Sequence, residues 1–264
     1  MAINVNTVYR TVLAILNKEQ RGYMTPNEFN RTATQVQLEI FEKYFEDLNQ
    51  QLRFSNRQTD VDYASRPENI DEKIAIFKTS GVCSYDANGG FYILPTVDVY
   101  GNSTTFYRLG TVVYNNPYGV STEVQRLDRN DFYYTENSPL TRSTTSFPTY
   151  LYEARDTQGA SLIYINPNTI TCSDCISVDY LRKPLDVRWG YTLGSQGQYL
   201  YDATPFQLNV TPGTQGSTDL ELHASEQTEV IIKILMYAGV IIRDPEIVQA
   251  AAQQAIMKDQ NEKT

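Results

Sequence analysis

The sequence predicts an α+β fold in which N- and C-terminal helices form a helical bundle and a large antiparallel β-rich domain lies between them. Three observations predict it. From Pro26 to about Phe54, apolar residues recur every three or four positions, the mark of an amphipathic helix. Residues 72–222 carry short aromatic and β-branched runs such as FYILP, TTFYRLGTVVY and CISVDYL, with Asn, Gly and Pro between them. Helical spacing then returns after Ser225.

Residues 4–17 read as a first helix, with Val5, Val8, Val12, Ile15 and Leu16 on one side. The stretch NKEQRGYMTPNEF that follows, Asn17 to Phe29, matches the register of a calcium loop through Asn17, Glu19, Arg21, Gly22, Tyr23, Thr25 and Glu28. Its chemistry does not match. Arg21 puts a guanidinium where a hard cation needs oxygen, and Asn17 replaces the opening Asp. Thr25-Pro26-Asn27-Glu28 instead fits a capping box with proline at the first helical position, and Gly22 fits a left-handed turn before it. A turn between two helices is therefore expected.

The second helix carries Phe29, Ala33, Val36, Ile40, Phe41, Tyr44, Leu48 and Leu52 on its stripe, and its length suits a strut or an assembly surface. The polar stretch SNRQTDVDYASRPENIDEK reads as a linker or extended arm over 56–71. In the β-rich region, Asp86-Ala87-Asn88-Gly89-Gly90 and Asn166-Pro167-Asn168 are turn clusters. Ser225 is placed as the N-cap of a helix with Val230, Ile231, Ile234, Leu235 and Ala238, ended by Gly239. Asp244-Pro245 opens a last helix with Ile247, Val248, Ala251, Ala252, Ala255 and Ile256. The expected organisation is 1–55 helical hairpin, 56–71 arm, 72–222 β-rich domain, and 223–264 helix pair and tail packing with 1–55.

Composition narrows the function. The net charge of −9 lacks the basic footprint of a nucleic-acid-wrapping or membrane-surface protein. The N-terminus is too polar for a secretory signal, and the apolar run Ile234 to Ile242 is too short for a membrane span. Three cysteines, an odd number, argue against a disulfide framework and suit synthesis in a reducing cytoplasm.

Catalytic motifs are scarce. Phosphate-cradling loops and a His-Glu-x-x-His pair are absent, and His223 is the single histidine, expected as a solvent-facing or capping residue. Gly194-Ser195-Gln196-Gly197 is not a nucleophile elbow. Cys172-Ser173-Asp174-Cys175 reads as a β-turn with two small, semi-buried residues. A zinc site would need Cys83 and His223 as further ligands. No catalytic, cofactor-binding or metal residue is assigned, and no cofactor is expected. The 20 tyrosines suit either strand surfaces or interfaces.

Three segments, RGYMTPNEFNRTATQVQLEIFEKYF, VDYLRKPLDVRWGY and LELHASEQTEVIIKILMYAGVIIRDPEIVQAAAQQ, taken in this order, resemble virion structural proteins of tailed bacteriophages, notably crAss-like and related marine phages. The resemblance implies a head–tail connector or ring protein beneath the portal, not an enzyme. It implies a homo-oligomeric ring, commonly twelvefold, that joins the portal to downstream tail proteins. Genomic DNA passes through as cargo during ejection, with no membrane or small-molecule partner. It also implies residence in the virion after synthesis in the bacterial host. The β-region is larger than a minimal adaptor needs and suggests an added outer domain that carries further proteins. The acidic balance would then keep a channel wall from binding the passing duplex. Phe41, Tyr44, Phe45 and the tail from Ile247 are the expected assembly residues, with core as the leading role for Phe41 and Tyr44. A tyrosine-rich carbohydrate- or receptor-binding tail module is the alternative, and a cell-wall hydrolase comes third.

Overall fold

The computed structural model describes residues 2–18, 23–53, 66–97, 104–116, 119–153, 161–206 and 216–242, with Gln253, Ile256 and Met257 beyond them. The fold is α+β, as the sequence predicts. The chain divides into two units: Met1–Ile76 together with Pro184–Thr264, and Phe77–Lys183.

The first unit is helical at its centre. Helix α1 (Val5–Lys18) buries Val5, Val8, Tyr9, Val12 and Leu16, whereas Ile15 is left exposed. Helix α2 (Pro26–Arg53) buries Phe29, Ala33, Val36, Ile40, Phe41 and Tyr44. With 28 residues it is about 42 Å long. Helix α3 (Arg66–Ala75) packs on α2 with Ile74 buried, and Lys73 Nζ sits 5.6 Å from the centre of the Tyr44 ring. The second half of the segment read as an extended arm is therefore helical. Its polar composition hid a helix whose contacts are charged as well as apolar.

A 3-10 turn (Ala224–Glu226) leads into the C-terminal helix Gln227–Ile242, which buries Val230, Ile234 and Ala238 and packs on α1 and α2. The two chain ends thus share one helical core. This helix does not stop at Gly239 as expected; it runs on to Ile242. The cap sits on the preceding 3-10 turn and is His223, not Ser225. The imidazole Nδ1 accepts from the Ser225 backbone N–H, and Ser225 lies within the turn. The buried carboxylates Glu226 and Glu229 and the half-buried Glu39 are all paired, as removing charge from water requires. Glu226 contacts Lys73, Glu229 lies 3.5 Å from Lys43, and Glu39 holds Lys233 at 3.6 Å and accepts from the Tyr237 hydroxyl. The expected helix from Asp244-Pro245 lies outside the described residues, apart from Gln253, Ile256 and Met257, which are helical.

The second unit holds two sheets. One has the order β1 (Lys78–Val82), β9 (Ile176–Arg182), β4 (Phe106–Asn115), β5 (Ser121–Glu123), all antiparallel. The other runs β2 (Ser84–Asp86), β3 (Phe91–Ile93), β8 (Leu162–Asn166), β7 (Thr149–Glu153), β6 (Gln125–Arg126). Its β6–β7 pair is parallel, the one departure from the expected antiparallel pattern among the described strands. Val112, Tyr114, Ile176, Val178 and Tyr180 from the first sheet and Tyr92, Tyr150, Ile163 and Ile165 from the second belong to one buried cluster, so the sheets face one another across a common core. Alternation on β9, with Ile176, Val178 and Tyr180 buried and Asp179 exposed, is what such packing demands. Cys83 joins β1 to β2 and carries the chain from one sheet to the other. Gly110 lies at a register shift of β4 where an added Cβ would meet the Asp179 carbonyl oxygen at 2.8 Å. A helix, α4 (Arg129–Asn137), packs on β7 with Phe132 buried. In chain order it precedes the C-terminal helix, which is α5.

The β-unit starts later and ends earlier than the 72–222 expected for it. Residues 184–222 belong with the helices. They include a hairpin, β10 (Tyr191–Leu193) with β11 (Tyr199–Tyr201), whose turn is the Gly194–Gly197 stretch, Gly197 having φ +77°. The β-unit is an insertion joined by neighbouring strands: Lys78 pairs with Leu181, and the Arg182 N–H donates to the Phe77 carbonyl at 3.0 Å.

Candidate functional site

Within the helical unit, the segment Leu185 to Trp189 is extended and is held along α2 by side chains. The Trp189 N–H donates to Asn30 Oδ1 at 2.7 Å, and Asn30 Nδ2 donates to the Trp189 carbonyl at 3.4 Å. Two residues earlier, the Val187 N–H donates to the Thr34 hydroxyl at 3.0 Å, which donates onward to the Val187 carbonyl at 3.4 Å. Gln37 Nε2 donates to the Leu185 carbonyl at 2.7 Å, while its Oε1 accepts from the Glu221 N–H at 2.9 Å. Asn30, Thr34 and Gln37 stand at helical spacing on one face of α2, and 185, 187 and 189 face the same way on an extended chain. Helix side chains here do what a neighbouring strand would do. On the opposite edge, Arg188 exchanges two backbone hydrogen bonds with Thr218, at 3.1 and 2.8 Å.

This arrangement anchors an aromatic cluster. The single tryptophan, Trp189, is 5 % exposed, and its Nε1 donates to Asn6 Oδ1 of α1 at 3.2 Å. Its ring lies 4.5 Å from Tyr9, 5.6 Å from Tyr201 and 6.0 Å from Tyr191, and Tyr9 lies 4.7 Å from Phe29. Burial pushes the Tyr9 phenol well above its ordinary pKa, and its hydroxyl donates to the Met24 carbonyl at 3.1 Å.

Beside the strap lies an open groove of ≈ 1060 Å³, lined by Arg31 and Gln35 of α2 and by Leu185, Arg188, Leu193 and Phe206. Leu185, Leu193 and Phe206 are exposed, and the Arg188 guanidinium sits 5.0 Å from the Phe206 ring centre. Apolar surface flanked by two guanidinium groups and side-chain amides suits contact with another macromolecule.

The other expected residues fall as follows. Thr25 and Glu28 form the capping box: Glu28 Oε2 accepts from the Thr25 N–H at 2.8 Å and hydroxyl at 2.7 Å, and the Glu28 N–H reaches the Thr25 hydroxyl at 3.4 Å. These bonds hold the Glu28 carboxyl below its ordinary pKa. Glu28, the twelfth position of the calcium register, is thus engaged in capping. Asn17 lies in the last turn of α1, and Glu19, Arg21 and Gly22 lie outside the described residues. Phe41 and Tyr44 are core, and Phe45 packs edge-on against Phe41 at 5.1 Å. Of the tail from Ile247, Gln253, Ile256 and Met257 are described, and all three are exposed.

The cysteines differ from expectation. Cys172 and Cys175 form a disulfide across the turn before β9, with Cα atoms 5.6 Å apart, a separation ordinary for such bridges. An odd cysteine count does not exclude one bridge, and Cys83 is the residue left over, buried as a free thiol. Among the described residues no group of three His, Cys, Asp or Glu side chains could hold a metal ion, and no helix is long and apolar enough to cross a membrane.

Sequence reasoning missed the strap and its amide ladder. The signal was present as the polar stripe Asn30, Thr34, Gln37 beside the apolar stripe of α2. Comparison with known proteins adds no family: no family model and no curated protein matches the chain.

Proposed function

We propose that this protein is a subunit of an oligomeric ring in the head–tail connector of a tailed bacteriophage, seated beneath the portal and surrounding the DNA channel. The observation that carries the reading is the convergence of the three phage-like segments at one side chain. Gln37 belongs to the first, Leu185 to the second and Glu221 to the third, and Gln37 hydrogen-bonds both partners. The resemblance therefore marks one folded body, built from both ends of the chain.

Three further features support the reading. The long α2 gives the helical unit a rigid axis on which repeated contacts can form. Heterologous contacts of this kind generate rings when the rotation closes. The β-unit is spliced into the helical unit through adjacent strands, the arrangement expected of an added outer module. Its role in this reading is attachment of further tail proteins. The acidic balance, −9 overall, disfavours retention of the duplex during ejection. Labelling of purified virions with an antibody against the β-unit tests the placement. Label at the neck supports it, and label confined to the fibres or the tail tip opposes it.

A further inference from the structure

A second cleft, of ≈ 540 Å³, lies wholly within the β-unit, between α4, the β2–β3 turn and the end of β8. Its volume falls in the range of small-ligand sites, roughly 300–1,000 Å³. Tyr133 and Glu136 of α4, Tyr85 of β2, and Tyr164, Asn166 and Asn168 from β8 and the turn after it line the cleft. We propose that this cleft binds a saccharide, with a pyranose ring stacked on Tyr133 and its hydroxyls read by Asn166, Asn168 and Glu136. The inference goes beyond the connector reading and does not depend on it.

Asn166 is the strongest pointer. On β8 the inward positions are Ile163 and Ile165, so Asn166 faces outward on the side of Tyr164. It is 7 % exposed, and what exposure remains leaves its side-chain amide open to water and to a ligand in the cleft. A primary amide brings two donors and a carbonyl acceptor to the wall of the cleft. A ligand with adjacent donor and acceptor groups, as on vicinal sugar hydroxyls, satisfies both ends at once.

The other groups suit the same chemistry. Glu136 is fixed in place, one oxygen accepting from Arg142 Nε and the other from the Ser143 N–H, each at 3.3 Å, and each oxygen has further lone pairs to offer. Tyr133 is 56 % exposed, a large aromatic surface for a folded chain to leave wet, and the C–H face of a pyranose is its natural partner. Gly89 and Gly90, in the β2–β3 turn, keep that rim low.

The test uses the full-length chain on an array of immobilised hexose, N-acetylhexosamine, deoxyhexose and uronic-acid glycans. Bound spots are followed up by saturation-transfer NMR with the corresponding free sugar. The expected result is binding of at least one glycan, weakened at least tenfold in Tyr133→Ala and in Asn166→Ala and unchanged in Val120→Ala, an exposed site elsewhere in the unit. Tyr133→Ala removes an exposed ring and so reads binding even if Asn166→Ala unfolds. Absence of binding across the array, or binding that survives Tyr133→Ala, overturns the proposal. So does a dimer of the chain that Tyr133→Ala dissociates, which would assign the cleft to a second copy.

Discussion

Asn30 of α2 holds both backbone groups of Trp189, accepting from its N–H at 2.7 Å and donating to its carbonyl at 3.4 Å. One side-chain amide thus replaces a strand partner across 159 residues of sequence. Replacing Asn30 by Ala leaves a donor and an acceptor in a partly buried place, where loss of a partner costs about 1–3 kcal/mol. Trp189 is the only tryptophan, so its fluorescence reports the helical unit directly. The urea midpoint followed by that fluorescence is expected to fall in Asn30→Ala. A smaller fall is expected in Asn30→Asp, which keeps the acceptor for the N–H.

Glu28 gives a pH signature. Its folded pKa lies below the ordinary 4.5 because Thr25 donates two hydrogen bonds to the carboxylate. With the folded value depressed, its contribution is present above the unfolded pKa and is lost as pH falls through the folded one. Glu28→Gln keeps a capping acceptor but does not titrate. The stability difference between the wild type and Glu28→Gln is expected to be constant near neutrality and to shrink below pH 4.5, measured by urea midpoints across pH.

The cysteines are expected to separate by reactivity. Burial raises the Cys83 thiol to about 12, so little thiolate forms at pH 8. A thiol reagent added to the folded, unreduced protein is expected to label none of the three cysteines. After mild reduction it should label Cys172 and Cys175, and only unfolding should admit Cys83. Rapid labelling of Cys83 in the folded chain, read by peptide mass spectrometry, would contradict its burial.

Gly190 and Gly197 contrast two reasons for glycine. A Cβ on Gly190 would sit 2.2 Å from the Gly216 carbonyl oxygen, backbone that cannot step aside locally. Gly197 has positive φ but open space around it, so an alanine there costs only the left-handed conformation, about 1–2 kcal/mol. Gly190→Ala is expected to lower the Trp189-monitored midpoint more than Gly197→Ala does.

The parts of the fold legible in the sequence are those decided by near neighbours. Helices α1 and α2, the Thr25–Glu28 box and the Asp86–Gly90 turn all rest on spacing or on residues within one turn of each other. Helix α3 was hidden because Lys73, which anchors it to Glu226, looks like any surface lysine until its partner is known. Residues 184–222 were read with the β-domain because an extended chain has the same local pattern whether a strand or a helix side chain satisfies it. Gln37 lies off the apolar stripe of α2, yet it is 1 % exposed and bonds two distant segments, partners that no local spacing announces. The cleft beside Asn166 depends on α4 covering the outer face of a sheet, a relation carried by no local motif.

The central claim is the proposed assembly on a phage portal, and the native mass of this protein mixed with a tailed-phage portal assembly tests it most directly, each component also being measured alone. The account predicts a discrete complex with a fixed, ring-compatible number of copies per portal, forming even if the protein alone is a monomer. A mixture that keeps only the two separate masses, at concentrations where neck proteins assemble, would contradict it.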